Sequence, residues 1–302
     1  MRTATTAVPA KPARKKRGFW RVLLHILAVL LILAVISGAA VYIYREYMKT
    51  HYKVTFYQEA SRKVSGNIRL AVISDIHNRE YGKNNDTLLA DLRALEPDLI
   101  LFLGDMVIRQ EDDYQAVLNL VSASSQIAPC YGVLGNHESE RIYYQDDKDL
   151  TARFKSAGLK LLRNASETIQ IGSDTVQLIG IEGTAYGFEE YGGRAFMEKT
   201  ALDPSAYSIV MAHIPVLFKS QLSDYAFDLG LAGHVHGGIV RLPFLGGLYS
   251  GEEGFFPEYT LGKYTLCRGQ SLIISGGLGD SNPYRPRINN MPELVVIDIS
   301  RY

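Results

Sequence analysis

The sequence predicts an α/β protein whose strands form two packed sheets with helices outside, preceded by one N-terminal transmembrane helix. Three observations predict it. Short apolar, β-rich runs alternate with polar or helical segments along most of the 302 residues. These runs are more numerous than one doubly wound sheet needs, and a second sheet packed on the first uses the surplus. Finally, residues 22–44, VLLHILAVLLILAVISGAAVYIY, are 23 residues without a charge, close to the roughly 20 that a helix needs to cross a bilayer.

The chain opens with residues 1–21, which hold seven Lys or Arg and no acid. That composition reads as a disordered basic tail. Basic residues on the N-terminal side of 22–44 favour a cytoplasmic N-terminus, a single pass through the cell membrane and an extracytoplasmic remainder. A cleaved signal peptide is the rival reading, because Ser37, Gly38 and Ala39 offer small residues to a peptidase. The apolar run continues past that site to Tyr44, which favours an anchor. Residues 45–66 are polar and tyrosine-rich with a short alternating stretch, a membrane-proximal stem leading into a first strand. Residues 67–302 suffice for one domain with a sizeable core.

Within that domain the expected strands are 68–73, 98–103, 130–134, 207–212 and 228–232, with others at VQLIGI, SLIISG and ELVVIDI. A helix is expected over 86–95, where Asp86 can cap and Leu88, Leu89, Leu92 and Leu95 share a face. Further helices are expected near 112–125, 147–157 and 215–223. Acids and bases balance at 32 each, but beyond Arg21 they stand at 32 against 25. A net negative domain argues against a nucleic-acid polymer as partner. Two cysteines, Cys130 and Cys267, make no disulfide framework, and their apolar surroundings point to buried free thiols.

The five principal runs each end in residues of metal-ligand type. In order these are Asp75 and His77, Asp105, Asn136 and His137, His213, then His234 and His236. Five of the seven histidines thus sit at strand ends, while His25 and His51 lie outside the pattern. Singly, such an Asp is more often a helix cap and such a His a satisfied polar residue. Together they can converge, because sites of α/β sheets form outside the carboxyl ends of strands. Gly104, Gly135, Gly233, Gly237 and Gly238 flank them where the backbone must turn.

These motifs, SDIH, LGD, GNHE, AHIP and GHVHGG, resemble the five motifs of calcineurin-like metallophosphoesterases. The continuations GGIVRLPFLGGLY and ISGGLGDSNPYRPRINNMPELVVI are similar to the membrane-anchored or exported bacterial branch represented by YkuE and YaeI. The resemblance implies a four-layer α/β/β/α sandwich carrying two divalent metal ions. Carried over motif by motif, it places Asp75, His77 and His236 on one ion, Asn136, His213 and His234 on the other, and Asp105 between them. One departure is GDMVI, where many members have a second acid four residues after the aspartate and this chain has Arg109.

A donor set of carboxylate, imidazole and amide without thiolate suits Mn, Fe or Zn. Two such ions would bind phosphoryl oxygens and acidify a bridging water for in-line attack on phosphorus. His137 is the candidate general acid at the leaving group, and Arg241 and Arg285 are candidates for steadying substrate charge. The implied activity is hydrolysis of a phosphodiester or pyrophosphate at the cell envelope, with a lipid-linked phosphoester as one candidate substrate. The alternatives are a phosphoprotein phosphatase, against which the absent GDxVDRG form argues, and an inactive metal-binding scaffold, against which the complete donor set argues.

Overall fold

A computed structural model describes residues 16–145, 147–183, 188–280 and 287–302. Two compact units emerge, Met1–Tyr47 and Met48–Tyr302. The first is dominated by helix α1, Lys16–Thr50. Its apolar side chains, among them Leu24, Leu31 and Val35, are exposed. Among the described residues this is the one helix long and apolar enough to cross a membrane, and an N-terminal signal sequence has the same character. It runs past Tyr44 through Arg45, Glu46 and Lys49, because charge limits what enters a bilayer and not what forms a helix.

In the second unit the strands are, in order, β1 (Lys53–Ala60), β2 (Asn67–Ile73), β3 (Leu99–Phe102), β4 (Cys130–Gly132), β5 (Leu159–Leu161), β6 (Ala165–Ile171), β7 (Asp174–Ile181), β8 (Tyr207–Ala212) and β9 (Leu229–Ala232). Two small hairpins follow, β10 (Arg241–Leu242) with β11 (Gly246–Gly247) and β12 (Tyr249–Ser250) with β13 (Gly254–Phe255). The last strands are β14 (Gly262–Thr265), β15 (Ser271–Ile274) and β16 (Glu293–Ser300). One sheet has the order β1-β16-β2-β3-β4-β5 and the other β14-β15-β9-β8-β7-β6.

The helices are α2 (Asp86–Leu95), α3 (Gln115–Ser124), α4 (Asn136–Tyr144), α5 (Leu150–Ser156), α6 (Gly193–Lys199) and α7 (Val216–Ser220). Three apolar cores alternate with the two sheets. Ile68, Leu70 and Val72 of β2 face Leu178, Ile209 and Leu231 of the other sheet. The opposite residues of β2, Ala71 and Ile73, pack with Leu88, Leu92, Val117, Leu120 and Phe154 of α2, α3 and α5. On the far side Ile179, Val210 and Ile274 meet Met197, Leu217 and Phe218 of α6 and α7. The result is the α/β/β/α order of layers. Strands buried on both faces read as unbroken apolar runs, since every side chain finds a core.

Four details differ from expectation. Residues 53–60, placed in the stem, are β1, paired in parallel with β16 from Lys53 opposite Glu293 to Ala60 opposite Ser300, so the folded unit starts before residue 67. Asn85, in the left-handed region, precedes α2; its Oδ1 accepts from the Tyr81 amide, and Asp86 is the first helical residue instead of the cap. Helix α4 has no apolar residue before Ile142, so no apolar stripe announces it. Both cysteines are free, but Cys130 alone is buried; Cys267 lies exposed in the turn between β14 and β15.

Candidate metal centre

Strands β2, β3 and β4 run parallel, as do β7, β8 and β9, so the loops that follow them emerge together. Short backbone bonds lock these loops to one another. The Asp75 amide donates to Gly104 O at 3.0 Å, His77 N to Asp105 O at 3.2 Å, and Gly233 N to His213 O at 2.9 Å. The His234 amide donates to the Asp75 carboxylate at 3.0 Å, which ties one sheet to the other. Asp75, His77, Asp105, His234 and His236 all hold positive φ, between 46° and 72°. A non-glycine residue there costs about 1 kcal/mol or more, and such strain gathers at functional sites. Gly104 is obligatory in this frame: its φ is +88°, and a Cβ would strike the Gly135 backbone.

The side chains so placed form three overlapping groups, each able to hold a metal ion: Asp75, His77 and His236; His77, Asp105 and His137; Asp105, His213 and His234. Asp105 Oδ2 lies 3.3 Å from His213 Nε2 and 3.8 Å from His77 Nε2. Nitrogens of His77 and His236 face each other at 3.3 Å, and those of His213 and His234 at 3.2 Å. Asn136 Oδ1 and His77 Nδ1 are buried and have no hydrogen-bond partner among the described residues. Converging lone pairs with an orphaned amide oxygen are the surroundings that divalent cations satisfy, so the residues present fit the implied group.

Burial pulls His77 and His236 down to about 3, despite the raising pull of Asp105 and Asp75. Neutral imidazole is the form that binds a metal. For His213 burial is outweighed by Asp105, Asp75 and the Leu103 carbonyl, which lift it to about 10. Asp105 in turn is held well below the usual carboxylate range, since His213, His137 and His77 outweigh its burial.

His137 Nε2 approaches Asp105 Oδ2 at 4.0 Å, while its Nδ1 accepts the Arg109 amide at 3.1 Å. An amide can only donate, so the neutral ring carries its proton on Nε2, the atom that faces the carboxylates. The Arg109 departure thus has a structural meaning: at that position a backbone donor meets His137, and the guanidinium turns away to Glu140 at 2.5 Å. The carboxylate beneath the centre is Glu138 instead. Fully buried, it accepts the amides of Asp105 and Gly135 at 2.8 Å and of Val107 at 2.9 Å, and burial followed by the Asp105 charge raises it to about 7.

Arg241 spends its guanidinium on Gly237 O at 2.9 Å and Thr260 Oγ1 at 3.4 Å, bracing the glycine loop after His236. Arg285 lies outside the described residues. Sequence reasoning missed Glu252, whose Oε1 is 2.6 Å from His234 Nε2, and Arg287, whose Nη2 is 3.0 Å from His236 Nδ1. It also missed Ser74, whose hydroxyl donates to Asp75.

This fold and centre define a metal-binding phosphoesterase. Residues 68–238 match the calcineurin-like phosphoesterase family, and the chain belongs to that family of hydrolases. It is 26% identical over 217 residues to the metallophosphoesterase YkuE of Bacillus subtilis, covering 70% of this chain and 72% of that one. To the phosphodiesterase YaeI of Escherichia coli it is 25% identical over 236 residues, 76% and 82% of the two chains. To the UDP-2,3-diacylglucosamine pyrophosphatase LpxG of Chlamydia trachomatis it is 24% identical over 290 residues, 76% and 83%.

Proposed function

We propose that this chain hydrolyses a phosphodiester or pyrophosphate bond at the cell envelope, with Asp75, His77 and His236 holding a first divalent ion, Asn136, His213 and His234 a second, and Asp105 serving both. The observation that carries this reading is the position of Asp105, whose Oδ2 faces His213 on one side and His77 on the other. Bound there, two ions of Mn, Fe or Zn would supply Lewis acidity and an acidified water.

The protein's own groups do the rest. Asp75 is set by Ser74 Oγ and the His234 amide. Glu138 fixes the loop of Asp105 through three backbone bonds. His137 acts at the leaving oxygen through the Nε2 proton that the Arg109 amide keeps on that side. A phosphoprotein substrate is disfavoured, since the GDxVDRG form of the second motif is absent.

An amphiphilic substrate carrying its phosphoester near a membrane suits the rest of the chain. Helix α1 is apolar enough to anchor it, with the seven basic residues of the tail on the cytoplasmic side, and residues 51–52 alone separate α1 from β1. One relative, LpxG, is named for a diacylated sugar nucleotide. Phe244, Leu245, Phe255 and Phe256, on the hairpins after His236, are more than half exposed. The purified chain, supplied in turn with Mn, Zn and Fe, is to be assayed on a chromogenic diester, a monoester and a lipid-linked pyrophosphate. Metal-dependent turnover of the diester or the pyrophosphate above the monoester is expected, and monoester preference would overturn the reading. Protease added to intact cells should cut the domain and spare the tail; a protected domain would reverse the topology.

A further inference from the structure

The turn between β12 and β13 carries Glu252, which belongs to none of the five motifs. Its Oε1 sits 2.6 Å from His234 Nε2, with 18% of the Glu252 side chain exposed. The turn is fixed from both ends. The Glu253 amide donates to Ser250 Oγ at 3.1 Å, and the Tyr249 and Phe255 rings stack edge to face with centroids 5.4 Å apart.

An ionised carboxylate only accepts, so His234 carries its proton on Nε2. In the neutral ring the lone pair then falls on Nδ1, which faces His213 Nε2 at 3.2 Å. His213 is set in the same way, with Nδ1 against the Leu103 carbonyl at 2.6 Å and Nε2 turned inward. Each outer nitrogen therefore meets an acceptor, which leaves each inner nitrogen as the one turned toward the ion. A carboxylate behind an imidazole fixes its tautomer and orientation and makes it the stronger ligand.

We propose that Glu252 is the positioning residue of the second ion: it sets the tautomer and aim of His234 and thereby the affinity of that site. The proposal rests on the reading of His234 as a ligand. Its rival is a carboxylate that merely pins the hairpin to the domain.

The test uses the full-length chain in detergent, stripped with chelator and titrated with Zn or Mn alone by calorimetry, with melting temperature recorded before metal is added. His234→Ala identifies the step that belongs to the second ion by abolishing it. Glu252→Ala is expected to weaken that same step by about 10- to 100-fold and to leave the other unchanged. Glu252→Gln keeps an oxygen acceptor and should lose less, and it carries the test if the alanine variant does not fold. Glu258→Ala, which removes an exposed carboxylate of the same region, should change neither step.

If His234→Ala loses one step while both Glu252 variants keep wild-type affinities, the proposal fails and the ligand reading stands. If His234→Ala itself leaves both steps intact, the ligand reading fails and the proposal with it. Equal weakening of both steps by Glu252→Ala, with a fall in melting temperature, would assign Glu252 to the hairpin and overturn the positioning role.

Discussion

The two halves of the centre are built differently behind their imidazoles. On the His213 and His234 side, each outer ring nitrogen meets an acceptor, Leu103 O at 2.6 Å and Glu252 at 2.6 Å. On the His77 and His236 side the outer nitrogens fare otherwise. Among the described residues His77 Nδ1 has no partner, and His236 Nδ1 meets Arg287 Nη2 at 3.0 Å. A guanidinium only donates, so the neutral His236 ring keeps its proton on Nε2. That is the nitrogen facing His77 at 3.3 Å and Asp75 at 3.7 Å. In the half of His213 and His234 the acceptors hold a proton on each outer nitrogen, so the proton that His213 releases is the inner one. In the other half the guanidinium opposes moving the His236 proton outward. Metal binding is proton-linked, so the same donor types give unequal affinity.

Removing what the halves share should have the largest effect. Asp105→Asn is expected to lower the affinity of both ions and to take turnover down by at least about 10³-fold, the loss of several kcal/mol of charge stabilisation. Elemental analysis together with a diesterase assay checks it. Two full equivalents retained at wild-type turnover would remove Asp105 from its shared role and dissolve the comparison.

Next comes His137, which the proposed assignment gives to neither ion. His137→Ala should lower turnover by ~10²- to 10⁴-fold while both equivalents of metal stay bound. A substrate with a more acidic leaving group should suffer less. Equal losses on good and poor leaving groups would show that Nε2 does not act at the leaving oxygen.

Most of the centre was legible because its chemistry sits in short motifs at strand ends: a strand buried on both faces is a recognisable apolar run, and although one Asp or His after such a run says little, five runs ending in residues of metal-ligand type point to convergence. What was not legible depends on tertiary approach. Glu252 and Arg287 reach their histidines from loops whose local sequence carries no period. Glu138 stood in plain sight in GNHE, yet nothing local says that its carboxylate would gather three amides from two loops. Strand β1 was misplaced into the stem because its burial comes from β16, hundreds of positions away, and leaves Phe56 exposed.

The inequality of the halves has its own measurement. Under a weak chelator one equivalent is expected to leave first, with the two dissociation constants about tenfold apart or more, and His77→Ala should remove the weaker step. Arg287→Met keeps bulk but removes the donor facing His236 Nδ1, so the proton can move outward and free Nε2. The weaker step should then tighten and the stronger stay put. Asp280 retains Arg79 at 2.7 Å, so its charge stays paired in the variant. A melting curve taken beside the titration separates lost packing from altered affinity. If Arg287→Met weakens the first step at unchanged stability, the guanidinium supports that half and the contrast is wrong.

The smallest expected effect concerns the hairpin that gives the His234 half its carboxylate. Phe255 and Phe256 are 71% and 58% exposed beside Glu252, too open to account for their presence by core packing. An apolar surface next to a polar metal centre suits the acyl or prenyl part of an amphiphile. Phe255→Ser with Phe256→Ser should therefore raise KM several-fold for a lipid-linked pyrophosphate, the loss of roughly 1 kcal/mol of apolar contact. Turnover of a small soluble diester and both metal-binding steps should hold, because the hydrogen bond from the Glu253 amide to Ser250 Oγ keeps the Glu252 turn in place after the Tyr249–Phe255 ring contact is lost. Equal loss on both substrates, or a weakened second step, would mean that the two phenylalanines seat the hairpin and act on the centre through Glu252, and the apolar surface would then belong to the metal site's scaffold instead of the substrate.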